Sequence, residues 1–341
     1  MTSKSVFLFG LAGFAVALAA NTASSRLQQF APLPEAMASD SNSITAAKIE
    51  LGRMLYYEPR LSRAQDVSCN TCHPLNRYGA DGNPVSSGFK GQKGDRNAPT
   101  VYNAAGHFVQ FWDGRAPDVE EQAKGPVMNP VEMAMPSEEL AVAVLQSMPD
   151  YVHAFQRAFP GENDPVTFDN MAKAIGAFER KLLTPSRWDR YLRGEENALT
   201  KTEKAGLEKF IATGCAACHN GAYVGGEQYQ RLGIVQPWTD SSDPGRYNVT
   251  KSEADRLLFK VPSLRNIAKT GPYFHNGSVG SLERAVGLMA RHELGKDLTS
   301  GDTSAIIAWL KTLTGQIPRD YIREPQLPKS TSKTPKPQPA D

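Results

Sequence analysis

Two five-residue stretches constrain this chain more than anything else in it: Cys69-Asn70-Thr71-Cys72-His73 and Cys215-Ala216-Ala217-Cys218-His219. The pattern C-x-x-C-H is the attachment signature of a c-type haem. Its two thiols form thioethers to the porphyrin vinyl groups, and the imidazole that follows turns onto the iron as proximal ligand. The chain has four cysteines, and the two motifs use all of them; it has six histidines, of which the motifs use His73 and His219. A zinc ribbon would need its C-x-x-C pairs roughly 15–20 residues apart, whereas positions 73 to 214 lie between Cys72 and Cys215. A thioredoxin-like pair leaves the histidine after each second cysteine unexplained. Both motifs therefore specify a covalent haem c.

At 341 residues the chain is long enough for two domains of ordinary size, and one haem motif falls in each half. Residues 21–182 read as an N-terminal haem domain, with 317–327 packing back on it, and 183–316 as a C-terminal haem domain. Helical patterns lead into both motifs. Thr45 to Tyr57 carries apolar residues at Ala47, Ile49, Leu51, Met54 and Leu55 and stops before Pro59. Thr200 to Thr213 opens on a Thr200-x-x-Glu203 capping box and continues through Leu207, Phe210 and Ile211. Further helices are expected over 137–147, 170–183, 281–289 and 303–313, each with i, i+3, i+4 apolar spacing and an N-terminal Ser, Asn or Thr. Between them, residues 78–99 and 221–262 are long and rich in Gly and Pro. Loops of that length argue against a packed domain unless a rigid apolar disc supplies the missing core, as a haem does. No alternating strand pattern of any length is present. The expected fold is mostly α: two cytochrome c-like haem domains with long irregular loops.

The formal net charge is +2 with acids and bases in balance, so nothing points to nucleic acid as a partner. Residues 1–20 read as a signal peptide: Lys4 is a positive n-region, Val6 to Ala20 an apolar and small run, and Ala17-Leu18-Ala19 an A-x-A cleavage site. The run is shorter than the roughly 20 residues of a membrane span; an uncleaved anchor is the alternative. Cleavage near Ala20 and a periplasmic location suit c-type haem attachment, with no membrane contact afterwards. At the other end, Pro328 to Asp341 is rich in Pro, Lys, Ser and Thr and is expected to be a disordered tail.

Several further stretches occur in consistent order from about Ala47 to Gly315. They are Lys93-Gly94-x-Arg96-Asn97-x-Pro99-Thr100, Phe111-Trp112-Asp113-Gly114-Arg115-Ala116, Gln122-Ala123-Lys124-Gly125-Pro126 and Asn129-Pro130-Val131-Glu132-Met133. Val261-Pro262-Ser263-Leu264-Arg265-Asn266 and Pro272-Tyr273-Phe274-His275-Asn276-Gly277 follow the second haem motif. In combination they resemble the bacterial di-haem cytochrome c peroxidases. The resemblance implies a division of labour. The N-terminal haem, on His73, would be the site where hydrogen peroxide is reduced. The C-terminal haem, on His219, would accept electrons from a small soluble cytochrome c or cupredoxin and relay them.

The resemblance also assigns residues. Peroxide cleavage needs an acid/base beside an open iron position, and Glu132 aligns with the family's distal glutamate. The ordinary fate of a Glu is exposure, but Pro130, Val131 and Met133 beside it suit a partly buried setting that would raise its pKa. Gln122 and Phe111 match the other distal positions, one to hydrogen-bond peroxide or water and one to restrict access. Trp112 aligns with the tryptophan between the haems, an electron relay that can also be a core residue. Met289, fourteen positions after His275, aligns with the axial methionine of the electron-transfer haem, where a thioether raises the potential; it would close the helix 281–289. His275 sits near the second haem without needing to ligate it, and His107, His153 and His292 read as satisfied or surface histidines. Asn97, Thr270 and Pro272 match positions that hold a calcium ion between the domains through an amide side chain and two backbone carbonyls. A homodimer is implied as well.

The chain departs from the family pattern at Phe89. Many members carry there a histidine that binds the peroxidatic iron in the all-ferric state and must leave before peroxide enters. Phenylalanine cannot ligate iron, so the haem on His73 is expected to be open without prior reduction. An open ferric haem is also a property of the related methylamine-dehydrogenase maturation enzymes, di-haem oxidases that modify a protein; these carry a tyrosine where this chain has Met289. A non-catalytic di-haem electron carrier is the remaining alternative, and it leaves Glu132 and Gln122 without a purpose.

Overall fold

The structure is a computed structural model that describes residues 26–339. The expected signal peptide and its Ala17-Leu18-Ala19 site lie outside the described residues. In the N-terminal unit, helix α1 (Ala46–Tyr56) begins where the Thr45 hydroxyl accepts from the Lys48 amide at 3.2 Å. Next come α2 (Val119–Met128), α3 (Glu138–Gln146), α4 (Pro149–Ala158) and α5 (Phe168–Glu179). Helix α5 is buried along most of its length, and α1 and α2 both lie on it. A Cβ on Gly52 of α1 would stand 1.9 Å from the Ala174 carbonyl oxygen, so only glycine lets the two backbones approach this closely.

The C-terminal unit repeats the device. Helix α6 (Arg187–Leu192) is followed by α7 (Lys201–Thr213), which starts on the expected Thr200/Glu203 capping box. Helices α8 (Leu282–Leu294) and α9 (Ser300–Thr312) complete the unit, and α7 crosses α9 at Gly206, where a Cβ would stand 2.0 Å from the Ala305 carbonyl oxygen. Each unit thus has one helix that runs up to its haem motif and is seated on a later helix through a glycine. Two short strands, β1 (Tyr229–Arg231) and β2 (Leu258–Lys260), pair antiparallel with Tyr229 opposite Lys260.

Helix limits differ from the sequence expectation at instructive places. Helix α5 starts at Phe168 because Thr167, not Asn170, caps it. Helix α8 continues past Met289 to Leu294, so the methionine lies inside the helix rather than at its end. Helix α2 carries Gly125 and Pro126 close to its C-terminal end; the proline gives up one intrahelical bond, and the helix stops two residues later at Met128.

Two main apolar clusters form. Leu51, Leu55, Tyr56, Phe155, Met171 and Phe178 centre the first, and Trp188, Leu207, Phe210, Trp309 and Leu310 the second; each fully buried side chain of this kind contributes about 1.5–3 kcal/mol. Ile322 belongs to the first cluster, with Ile317 and Tyr321 against it, so the chain returns to the N-terminal unit after α9. The segment after it departs from expectation. Instead of a disordered tail, the described residues 328–339 lie along the N-terminal unit: Arg60 donates to the Pro328 carbonyl at 2.8 Å, Gln65 to that of Pro335 at 2.8 Å, and Gln338 N–H to that of Arg63 at 2.8 Å. Composition had shown no apolar reason to dock. The fastening is polar, with side chains of the domain reaching the carbonyls of a Pro-rich strap.

Between the clusters, Arg265 and Asp189 form a buried ion pair at 2.8 Å, both side chains 0% exposed. Burial pushes the Asp189 carboxyl up, but Arg265 and the N–H groups of Leu33 and Ser186 outweigh it, so its pKa falls. Asp189→Ala leaves a buried guanidinium unmatched and should cost about 3–5 kcal/mol in denaturant unfolding near neutral pH. Because the folded-state pKa is depressed, this stabilisation is present above the unfolded aspartate pKa and is lost as pH falls through the folded one. The difference between variant and parent should therefore shrink at acid pH.

Candidate haem sites and the joint between them

The C-terminal motif faces a cavity of about 240 Å³ lined by Cys215, Cys218, His219 and Met289 together with Phe210, Val261, Leu264 and Leu310. Neither cysteine is in a disulfide. Burial pushes the His219 imidazole down to about 4, so it is neutral and has a lone pair to give. Its Nδ1 is buried and finds no hydrogen-bond partner among the described residues. An apolar slot edged by two thiols, a neutral imidazole and a thioether fits a covalently attached haem with His219 and Met289 on the iron.

The N-terminal motif is a single helical turn, Cys69–Cys72, entered from α1. Burial pushes the Cys69 thiol up to about 12 and raises that of Cys72. His73 is likewise kept neutral by burial, with Nδ1 3.3 Å from the Gly79 carbonyl oxygen. With Nδ1 donating there, Nε2 keeps the lone pair that an iron needs. Tyr56 fixes the turn, its hydroxyl donating to the His73 carbonyl at 2.8 Å.

The residues expected on the far side of this haem do come together. Gln122 and Gly125 share a face of α2 three residues apart, and the Phe111 ring lies against Gly125, its Cζ 3.3 Å from where a Cβ would be. Just past α2, Glu132 accepts from Asn129 Nδ2 at 2.8 Å. Burial raises the Glu132 pKa, against the opposing charge of Arg115 and the Asn129 hydrogen bond. Its charge is among the influences that raise the thiols of Cys69 and Cys72. Phe89 is part of the same site: its N–H donates to the Glu132 carbonyl at 2.7 Å, and its buried ring lies under the Arg63 guanidinium, 5.4 Å from the centroid. A Cβ at Gly88 would stand 2.6 Å from Glu132 Cα, so glycine permits this contact.

Phe111 has φ +66°, and the turn it makes sends the next residue the other way. Trp112 lines the C-terminal cavity, donates from Nε1 to the Asn97 carbonyl at 2.9 Å and accepts from the Lys260 amide at 2.7 Å. Asn97, Thr270, Pro272 and His275 line the same cavity. The Asn97 N–H donates to the His275 carbonyl at 2.7 Å, and the His275 ring stacks on Phe259 at 4.4 Å.

Other groups at this joint were not visible in the sequence. Burial pushes the Lys260 ammonium down to about 8; it donates to the Val109 carbonyl at 3.1 Å and lies 3.4 Å from His107 Nδ1. His107, expected to be satisfied or at the surface, is half-buried, with Lys260 at its Nδ1 and no partner for its Nε2 among the described residues. Burial also pushes the Glu179 carboxyl, at the end of α5, up to about 8. These positions meet only in the folded chain, so no local pattern announces them.

Residues 46–197 match the family model described as di-haem cytochrome c peroxidase. Over 314 residues the chain is 46% identical to the cytochrome c551 peroxidase of Pseudomonas aeruginosa, with 90% of each protein covered. This chain belongs to the di-haem cytochrome c peroxidase family. It is also 33% identical over 323 residues to the methylamine utilization protein MauG of Methylorubrum extorquens, covering 91% of this chain and 88% of the other. Among solved structures, a MauG-like protein associated with microbial copper homeostasis superposes with a TM-score of 0.77 at 28% identity, over 86% of this chain and 97% of that one. The chain is accordingly an enzyme of the cytochrome c peroxidase class, with a mostly helical fold shared with that structure. The family implies two c-type haems, and the two cysteine pairs provide for them. Replacing Cys69 and Cys72 together with Ser should lower covalent haem from two per chain to one by pyridine haemochrome absorbance, and the same change at Cys215 and Cys218 should do so independently.

Proposed function

We propose that the protein reduces hydrogen peroxide to water in the periplasm, with electrons from a small cytochrome c or cupredoxin entering at the haem of His219 and passing to that of His73. The observation that carries this reading is the half-buried Glu132 carboxyl, held by Asn129 Nδ2 at 2.8 Å just past the helix that carries Gln122 and meets the Phe111 ring at Gly125. Haem, when bound, supplies the redox electrons and a Lewis-acid iron at each site. The chain's own residues then handle protons and access. Glu132 takes the proton from the near peroxide oxygen and returns it to the far one, which leaves as water. With two electrons and two protons supplied, peroxide ends as two waters. The Gln122 amide hydrogen-bonds the substrate, and the Phe111 ring limits what can enter.

Trp112, the residue after Phe111 and part of the other cavity's wall, bridges the two sites in dense packing suited to electron transfer. Met289 holds the accepting haem at high potential. Calcium at the Asn97 amide oxygen and the Thr270 and Pro272 carbonyls would brace the joint. Among the described residues no group of three or more His, Cys, Asp or Glu is placed to hold a metal, so this ion would rest on neutral oxygens and water. No helix among the described residues is long and apolar enough to cross a membrane.

Phe89 makes the site ready in its oxidised state, because phenylalanine cannot ligate iron and the loop it occupies carries no histidine. Ferric, as-isolated enzyme mixed with reduced small cytochrome c and peroxide should turn over linearly from the first second, and its EPR spectrum should contain one high-spin haem. A lag abolished by pre-reduction would leave the peroxidase standing and refute the open site; absence of turnover with several donors would refute the peroxidase. Glu132→Gln should lower kcat/KM for peroxide by about 10²–10⁴-fold while haem content and the spectrum of the second haem stay unchanged.

A further inference from the structure

Asp113 is 4% exposed and is shared by two arginines. Arg96 Nη1 reaches its Oδ2 at 2.6 Å, and Arg115 Nη1 reaches Oδ1 at 3.1 Å and Oδ2 at 3.0 Å. Arg96 in turn grips Asp243 with Nε at 2.6 Å and Nη2 at 2.8 Å. Asp243 belongs to the segment between β1 and β2 of the C-terminal unit, so the row Arg115–Asp113–Arg96–Asp243 crosses from one unit to the other. Its far end does not stop at Asp113. The Arg115 guanidinium lies flat on the Phe111 ring, Cζ 3.4 Å from the centroid, and that ring lies against Gly125 of α2. The end of α2 fixes the turn carrying Glu132, through Glu132 N–H to the Asn129 carbonyl at 3.0 Å and Met133 N–H to that of Pro126 at 3.1 Å.

We propose that Arg115 is a positioning residue for the peroxide reaction: its cation, laid over Phe111 and held by Asp113, supplies the positive charge against which Glu132 works. This rests on the assignment of Glu132 as the proton carrier. Arg115 and the thiols of Cys69 and Cys72 are coupled to Glu132 by charge, Asn129 supplies its hydrogen bond, and the cations of Arg63 and Lys90 lie over the ring of Phe89, whose N–H donates to the Glu132 carbonyl. Burial drives the carboxyl toward the neutral form, and the guanidinium opposes it. An arginine suits the place because it stays charged at every working pH and its plane can lie on an aromatic face while its edge holds a carboxylate. The side chain is 41% exposed, yet it is not free to swing: a buried anion anchors it, and that anion's second cation is tied into the other unit.

The test uses the holoenzyme and two readouts. Hydrogen cyanide must give up its proton to a base before cyanide binds a ferric haem, so the pH midpoint of its association rate, followed at the Soret band, reports Glu132 without turnover. The acid limb of kcat/KM for peroxide is the second. Removing an opposite charge raises a carboxyl pKa, so Arg115→Gln should move both midpoints to higher pH, by about half a unit or more, and Arg115→Lys should bring them back toward the parent. Unshifted midpoints in Arg115→Gln, or equal shifts in the Gln and Lys variants, would overturn the role of the cation. Glu132→Gln separates this from the underlying assignment: it should abolish the transition, and if the transition survives, Glu132 is not the base. Unchanged reduced-minus-oxidised haem spectra certify that each variant is folded.

Discussion

A carboxylate taken out of water costs several kcal/mol unless cations and hydrogen bonds match it. At Asp113 the match comes from Arg96 and Arg115, and Arg96 is in turn paired with Asp243 of the other half; much of the rest follows. The loop from Gln110 to Ala116 closes on itself by a bridge between those two residues and turns through positive φ at Phe111 and Gly114. Arg246, from the C-terminal unit, donates to the carbonyls of Asp113 and Gly114 at 3.0 and 3.3 Å. Neutralised and clamped, the loop sends consecutive aromatics in different directions. Phe111 lies against the helix that carries Gln122, and Trp112 walls the opposite cavity. The two candidate haem sites are therefore neighbours through a single peptide bond.

Much of this was legible because it is local. A C-x-x-C-H motif is read without knowing the fold, and the capping residues Thr45, Ser137, Thr200 and Ser281 mark helix starts that the structure retains. Helix α2 was hidden because Gly125 and Pro126 are breakers in isolation. The docked strap was hidden because composition counts apolar burial and cannot foresee that Arg60 and Gln65 will reach its carbonyls. Met289 and Glu132 were found through the family pattern; a methionine in a helix and a glutamate near prolines carry no chemistry by themselves. Arg96 on Asp243, and Lys260 beside His107, join positions more than 140 residues apart, which no periodicity encodes.

Burial acts in one consistent direction at both motifs. It raises the thiols of Cys69, Cys72 and Cys215 and keeps the proximal imidazoles neutral. Neutral imidazole is the form that binds iron, so each ligand is preset by the low-dielectric setting of its own motif. Glu132 feels the same setting, opposed there by the charge of Arg115 and the Asn129 hydrogen bond.

The return of the chain to its first core has a temporal side. Tyr321 stacks on Phe178 at 5.1 Å and donates to its carbonyl at 2.7 Å, and Tyr57 donates to the carbonyl of Ile322 at 2.6 Å. The unit made first on the ribosome is thus the one completed last, since its closing piece is translated only after the whole second unit. Until then the wall beside α1, the helix that leads into Cys69 and Cys72, lacks a side. The order of synthesis leaves an interval in which the first motif stands less enclosed, the condition under which a bulky planar group is most easily installed.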